Sequence, residues 1–92
     1  MRYFFDIFDG DHWSKDDRGI ECNDDLGARQ QAVLTLIEMA RDYIPADGAN
    51  MDLAVRVRHA SQMAFTVHLD FSTEAGPGLN DPSVIRGHDE MA

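Results

Sequence analysis

Basic residues are scarce in this chain. Eight Lys and Arg stand against seventeen Asp and Glu, a formal net charge of −9 over 92 residues. A surface of that sign repels phosphate backbones and anionic headgroups, which argues against a nucleic-acid or membrane-surface binder. Cysteine is nearly absent. Cys22 alone forms neither an intrachain disulfide nor a multi-cysteine zinc site, and a reducing, cytoplasmic setting is the expectation that follows. Three prolines and seven glycines are too few for a wholly disordered chain. Long hydrophobic runs are missing as well. The opening Met1-Arg2-Tyr3-Phe4-Phe5 meets Asp6 before it reaches the length of a signal-peptide core, and the stretch 32–40 is broken by Thr35 and Glu38, far short of the ~20 residues that span a bilayer.

What is present reads as one small domain over residues 1–71 followed by a disordered tail over 72–92. Residues 3–8 are aromatic-rich and predict a strand, with Tyr3, Phe5 and Ile7 on one face and Phe4, Asp6 and Phe8 on the other. Asp9-Gly10-Asp11 supplies a tight turn and His12–Lys15 a short return strand anchored by Trp13. Asp16–Gly19 is a second turn, leading through Ile20-Glu21-Cys22 to three candidate helix caps, Asn23, Asp24 and Asp25. A helix follows, with Val33, Leu36, Ile37, Ala40 and Ile44 expected on its buried stripe and Pro45 as its stop. Leu53, Val55 and Val57, then Met63, Phe65, Val67, Leu69 and Phe71, recur at period two and predict two half-buried antiparallel strands joined at 60–62. The expected fold class is α+β: ββαββ, one antiparallel sheet of about four strands with a single helix on one face.

Several constellations invite chemistry. Eight carboxylates and three basic residues occupy the first 25 positions. Asp9, Asp11, Asp16 and Asp17 could gather around a divalent cation, although Trp13 occupies the third-ligand place of an EF-hand loop, and the same acids serve equally as turn formers. Arg56, Arg58, His68 and Asp70 share the expected outer sheet face, where they could grip a small anionic ligand or, through a His68–Asp70 pair, move a proton. Cross-strand ion pairing explains them as well. His59 and His68 lie near each other only if the hairpin between them is tight. Cys22 stands before a helix, a setting that lowers a thiol pKa, but Glu21, Asp24 and Asp25 oppose that effect. Phe4, Phe8 and Trp13 lie on the side of the sheet that one helix does not cover, and they are the expected apolar binding surface.

The motifs Arg2-Tyr3-Phe4-Phe5-Asp6, Asp9-Gly10-Asp11, Asp17-x-Gly19-Ile20-Glu21 and Ala28-Arg29-x-x-Ala32 resemble a family of short bacterial proteins of unknown function, common in rhizobia and related alphaproteobacteria. The resemblance covers residues 2–44 by motif and 51–71 by pattern. It implies a small α+β domain in a bacterial cytoplasm and assigns no catalytic residue. A looser likeness of pattern is to HicB-like antitoxin domains, which act by binding a partner toxin. No nucleophile–base pair, phosphate loop or cofactor motif stands out. The functional expectation is a protein–protein interaction or regulatory module, self-associating or bound to another bacterial protein; the alternatives are a small-ligand or enzymatic site on the sheet face and a divalent-cation site in the acidic loops.

Overall fold

The computed structural model describes residues 1–47, 50–60, 62–74, 76 and 77. The elements run β1 (Arg2–Phe8), β2 (Trp13–Ser14), β3 (Ile20–Glu21), α1 (Asp25–Asp47), β4 (Asn50–His59) and β5 (Gln62–Ser72). All strand pairings are antiparallel, in the order β2-β1-β4-β5, with β3 also on β1. The expected α+β fold stands, with two short strands in place of one at the β1 edge. Ile7 and Phe8 pair with Ser14 and Trp13, and Arg2 and Tyr3 pair with Glu21 and Ile20, so β2 and β3 are two halves of one interrupted edge. The tail expected over 72–92 falls largely on 78–92, outside the described residues; β5 itself runs through Ser72.

One face of the sheet carries the core. Tyr3 and Phe5 from β1 and Leu53, Val55 and Val57 from β4 pack against Ala28, Ala32, Leu36 and Met39 of α1. Each large apolar side chain so buried contributes about 1.5–3 kcal/mol. The helix begins as its acids predict. Asp24 caps it, its Oδ1 accepting the Gly27 amide at 2.9 Å and its carbonyl accepting the Ala28 amide at 3.0 Å.

Three expectations about local structure are corrected. First, the helix does not stop before Pro45 but carries it in the last turn. The missing N–H there forfeits one bond, to the carbonyl of Arg41, a residue exposed to water that can replace it. Second, Ile37 is not in the buried stripe: it is 58% exposed, and Ala28, Ala32 and Met39 take the inner row with Leu36. The two alanines let the helix lie close to the sheet, which selects that row. Third, Met63 does not share a face with Phe65. Val57 pairs with Phe65 but Arg58 pairs with Met63, so Ala64 is an extra residue in β5. This bulge turns Met63 to the helix-free face, where the Thr66 hydroxyl approaches its Sδ at 3.8 Å.

Candidate functional site

The helix-free face is organised around Asp6. Strand alternation sends this carboxylate away from the core, yet it is only 1% exposed. Four donors surround it: Arg58 Nη2 at 3.0 Å and the Asp16 amide at 3.0 Å on Oδ1, Arg58 Nε at 2.8 Å and Arg56 Nε at 3.2 Å on Oδ2. A carboxylate has about four lone-pair sites, so Asp6 is saturated. Burial pushes its carboxyl up, but Arg58, the Asp16 amide and Arg56 outweigh burial and hold it below the usual carboxylate range. In return, the Asp6 carboxylate raises the Arg58 guanidinium.

Asp16 completes the arrangement from the loop between β2 and β3. The middle of β1 has no strand on that side, and Asp16 Oδ2 fills the gap by accepting the Phe5 amide at 3.0 Å. Its Oδ1 accepts the Arg18 and Gly19 amides at 2.9 and 3.1 Å, closing the turn, and Arg58 Nη2 donates to its carbonyl at 2.7 Å. Burial raises the Asp16 carboxyl, and the three amides outweigh it, leaving the group below its ordinary value. Gly19 is required here: its φ is +77°, and a Cβ would lie 2.8 Å from the Tyr3 carbonyl.

The aromatic residues expected as a binding surface belong to the same layer. Phe4 and Phe8 are half-buried; the Arg58 guanidinium lies 5.0 Å from the Phe4 ring, the Arg56 guanidinium 4.2 Å from the Trp13 ring, and the Phe8 and Trp13 centroids are 5.3 Å apart. These cation–π contacts cover one side of the Phe4 and Trp13 rings from within the chain, and Trp13 stays 41% exposed. Arg56 and Arg58 are thus brought together with Phe4, Phe8 and Trp13, not with His68 and Asp70. The guanidiniums turn toward β1, whereas His68 and Asp70 lie on β5, with Asp70 directly opposite Asp52. A hydrogen bond and charge repulsion from Asp70 raise the Asp52 carboxyl. His59 and His68 do not meet either. His59 stacks on Tyr3 at 4.6 Å, on the helix side, while His68 belongs to the row of Thr66 and Asp70 on the other.

The acidic loops are occupied by local bonding. Asp9 Oδ1 accepts the Asp11 and His12 amides at 2.9 and 3.0 Å, which lowers its carboxyl, and Asp16 is committed as above, while Asp11 and Asp17 are exposed. Among the described residues no group of three or more His, Cys, Asp or Glu side chains is arranged to hold a metal ion. A groove of about 590 Å³ runs between the β1–β2 turn and the far ends of β4 and β5, lined by Asp9, Asp11, Asp52, Asp70, Met51 and Phe71 among others. Its carboxylates repel anionic ligands.

The surface that the sequence concealed is on α1. Leu26, Leu34 and Ile37 are 61%, 57% and 58% exposed. They follow one another at helical spacing on the side away from the sheet. The helix is apolar on two faces, and periodicity alone does not say which one the sheet takes. The signal available was the small pair Ala28 and Ala32, which marks the row of closest approach.

One helix laid across a five-stranded antiparallel sheet, with the opposite face closed by a carboxylate–guanidinium cluster, defines a small α+β domain. The chain belongs to the family described as a domain of unknown function, DUF6894, which matches residues 2–70. Comparison with curated proteins and with solved structures gives no match. No helix among the described residues is long and apolar enough to cross a membrane.

Proposed function

We propose that this chain is a protein–protein interaction module of the bacterial cytoplasm, acting as an accessory or regulatory partner rather than as an enzyme. The observation that carries the reading is the outer side of α1, where Leu26, Leu34 and Ile37 are exposed, while Arg56 and Arg58 are bonded to Asp6. Apolar side chains grouped on a surface favour association, because covering them removes apolar area from water. The pattern likeness to HicB-like antitoxin domains, whose work is to bind a partner, points the same way. A ligand site on Arg56 and Arg58 would first have to break three hydrogen bonds to a buried carboxylate, at a cost of several kcal/mol.

The test is capture from extracts of the source cells with the tagged full chain, beside Leu34→Glu/Ile37→Glu, together with sedimentation of both. A stoichiometric protein, or a second copy, held by the wild type and lost by the variant supports the reading. A wild-type chain that is monomeric and retains nothing overturns it.

A further inference from the structure

β5 is the outermost strand, and among the described residues its second edge has no strand beside it. An open edge presents unpaired backbone N–H and C=O groups, and proteins guard such edges with Pro, Lys or short strands. Over its 11 residues β5 has neither Pro nor Lys nor Arg. Its irregularity, the bulge at Ala64, leaves Phe65 to Ser72 regular. The strand carries one formal charge, Asp70, in a chain of net charge −9, so a second copy meets little repulsion along this line. Its helix-side row is incompletely covered, because α1 lies chiefly over β4: Phe65, Val67 and Leu69 are half-buried and Phe71 is exposed.

We propose that two copies of this chain pair β5 with β5, antiparallel about a two-fold axis at His68, extending one sheet through both protomers. The proposal rests on the interaction reading above in naming a second copy as partner, on a surface other than the outer side of α1. A two-fold axis makes the contact isologous, so the strand must be complementary to itself. Centred on His68, which pairs Phe65 through Phe71, it is. On the helix side Phe65 faces Phe71 of the second copy and Val67 faces Leu69, the apolar cross-strand pairs that stabilise sheets. On the other side Thr66 faces Asp70. Within its own chain Asp70 lies opposite Asp52, with which it shares a hydrogen bond against charge repulsion, and the Thr66 hydroxyl of the second copy adds a donor free of that repulsion.

Thr66 offers a test in which folding and pairing respond with opposite signs. In its own chain Thr66 lies opposite Arg56. Thr66→Asp therefore attracts Arg56 within the protomer but repels Asp70 of the second copy, and Thr66→Lys does the reverse. Sedimentation of the full chain should show a monomer–dimer equilibrium whose Kd rises about 2- to 30-fold in Thr66→Asp and falls by a similar factor in Thr66→Lys, two cross-strand charge pairs changing in each. Amide hydrogen exchange should show protection of 62–72 that increases with protein concentration. A dimer protected only along 25–47 and indifferent to both Thr66 variants overturns the β5 pairing while leaving the interaction reading intact. A chain monomeric at every concentration overturns it too, as does β5 protection that dilution does not change, which would mean that another part of the chain covers the edge. Failure of the broader reading is separate: it requires that the wild type also capture no partner.

Discussion

The helix-free face of the sheet and the outer side of α1 both look away from the core, and they are finished by opposite means. On the sheet, alternation places Phe4, Asp6 and Phe8 outward, and the chain closes over them: Arg56, Arg58 and the loop at Asp16 supply every donor that Asp6 can use, and the guanidiniums lie over the rings of Trp13 and Phe4. On the helix, Leu26, Leu34 and Ile37 project at helical spacing and are left more than half exposed. Residue types suited to chemistry do not by themselves make a site. Arg56 and Arg58 are among the residues the sequence nominates, and with Asp6 their geometry spends that capacity on holding a loop to a strand. The plain leucine and isoleucine of α1 retain theirs.

The largest effect is expected at Asp6. Asp6→Ala leaves two guanidiniums without their carboxylate and the Asp16 loop without its anchor, and should cost about 3–5 kcal/mol, read as a lowered urea midpoint. A variant as stable as the wild type would show that the sheet face is not closed by this cluster.

Acid acts on the same contacts. Asp6 and Asp16 both lie below their ordinary value of 3.8 in the folded chain. The unfolded chain therefore binds protons first as pH falls, so their contribution is present above about pH 4 and is lost as pH drops through the folded values. Urea midpoints should hold steady from pH 7 to about 5 and decline below 4, with a shallower decline in Asp6→Asn.

Gly19→Ala tests the turn that carries Asp16. A side chain there meets the Tyr3 carbonyl at a positive φ, and about 1–3 kcal/mol should be lost in thermal unfolding. Tyr3 is the control on the core side. Its hydroxyl donates to Asp25 at 2.6 Å, and that bond, burial and nearby acids push it up to about 12. Its contribution is thus full below about pH 10 and lost as pH rises through 12. Tyr3→Phe should cost roughly 1 kcal/mol and flatten the alkaline decline in stability.

The smallest effect is expected on the outer side of α1. Leu34→Glu/Ile37→Glu should change the monomer's stability by no more than about 0.5 kcal/mol, because neither side chain is in the core. A loss of several kcal/mol in dilute protein would mean that the outer helix side is covered within the chain, and would remove the contrast between the two regions.

Much of the fold was legible residue by residue. The alternation at 3–8, 53–57 and 63–71 marks three strands, with inner faces that hold except at Met63, and the run Asn23-Asp24-Asp25 marks the helix start, because both signals are local and depend on backbone period and capping. The period misplaces Met63, because a bulge shifts it by one and nothing in Gln62-Met63-Ala64 announces that shift. Pro45 was misassigned because a proline is disallowed in a helix interior but tolerated where the carbonyl it frees can reach water. The helix face was ambiguous because apolar residues follow helical spacing on two sides.

The candidate site was legible as a set of residues but not as an arrangement. Phe4, Phe8, Trp13, Arg56 and Arg58 were all singled out, yet their meeting around Asp6 depends on β4 lying beside β1, a pairing of residues about fifty positions apart.

Composition and local pattern thus determined an acidic α+β domain with a capped helix and alternating strands, since charge, capping and period are properties of short stretches. That the helix presents Leu34 and Ile37 to solvent, and that Asp6 is closed in by Arg56 and Arg58, follows from tertiary packing alone. Both depend on which distant surfaces come to lie together: the sheet accepts the helix row whose small residues allow close approach, and a buried carboxylate keeps its charge only where donors from other segments converge on it.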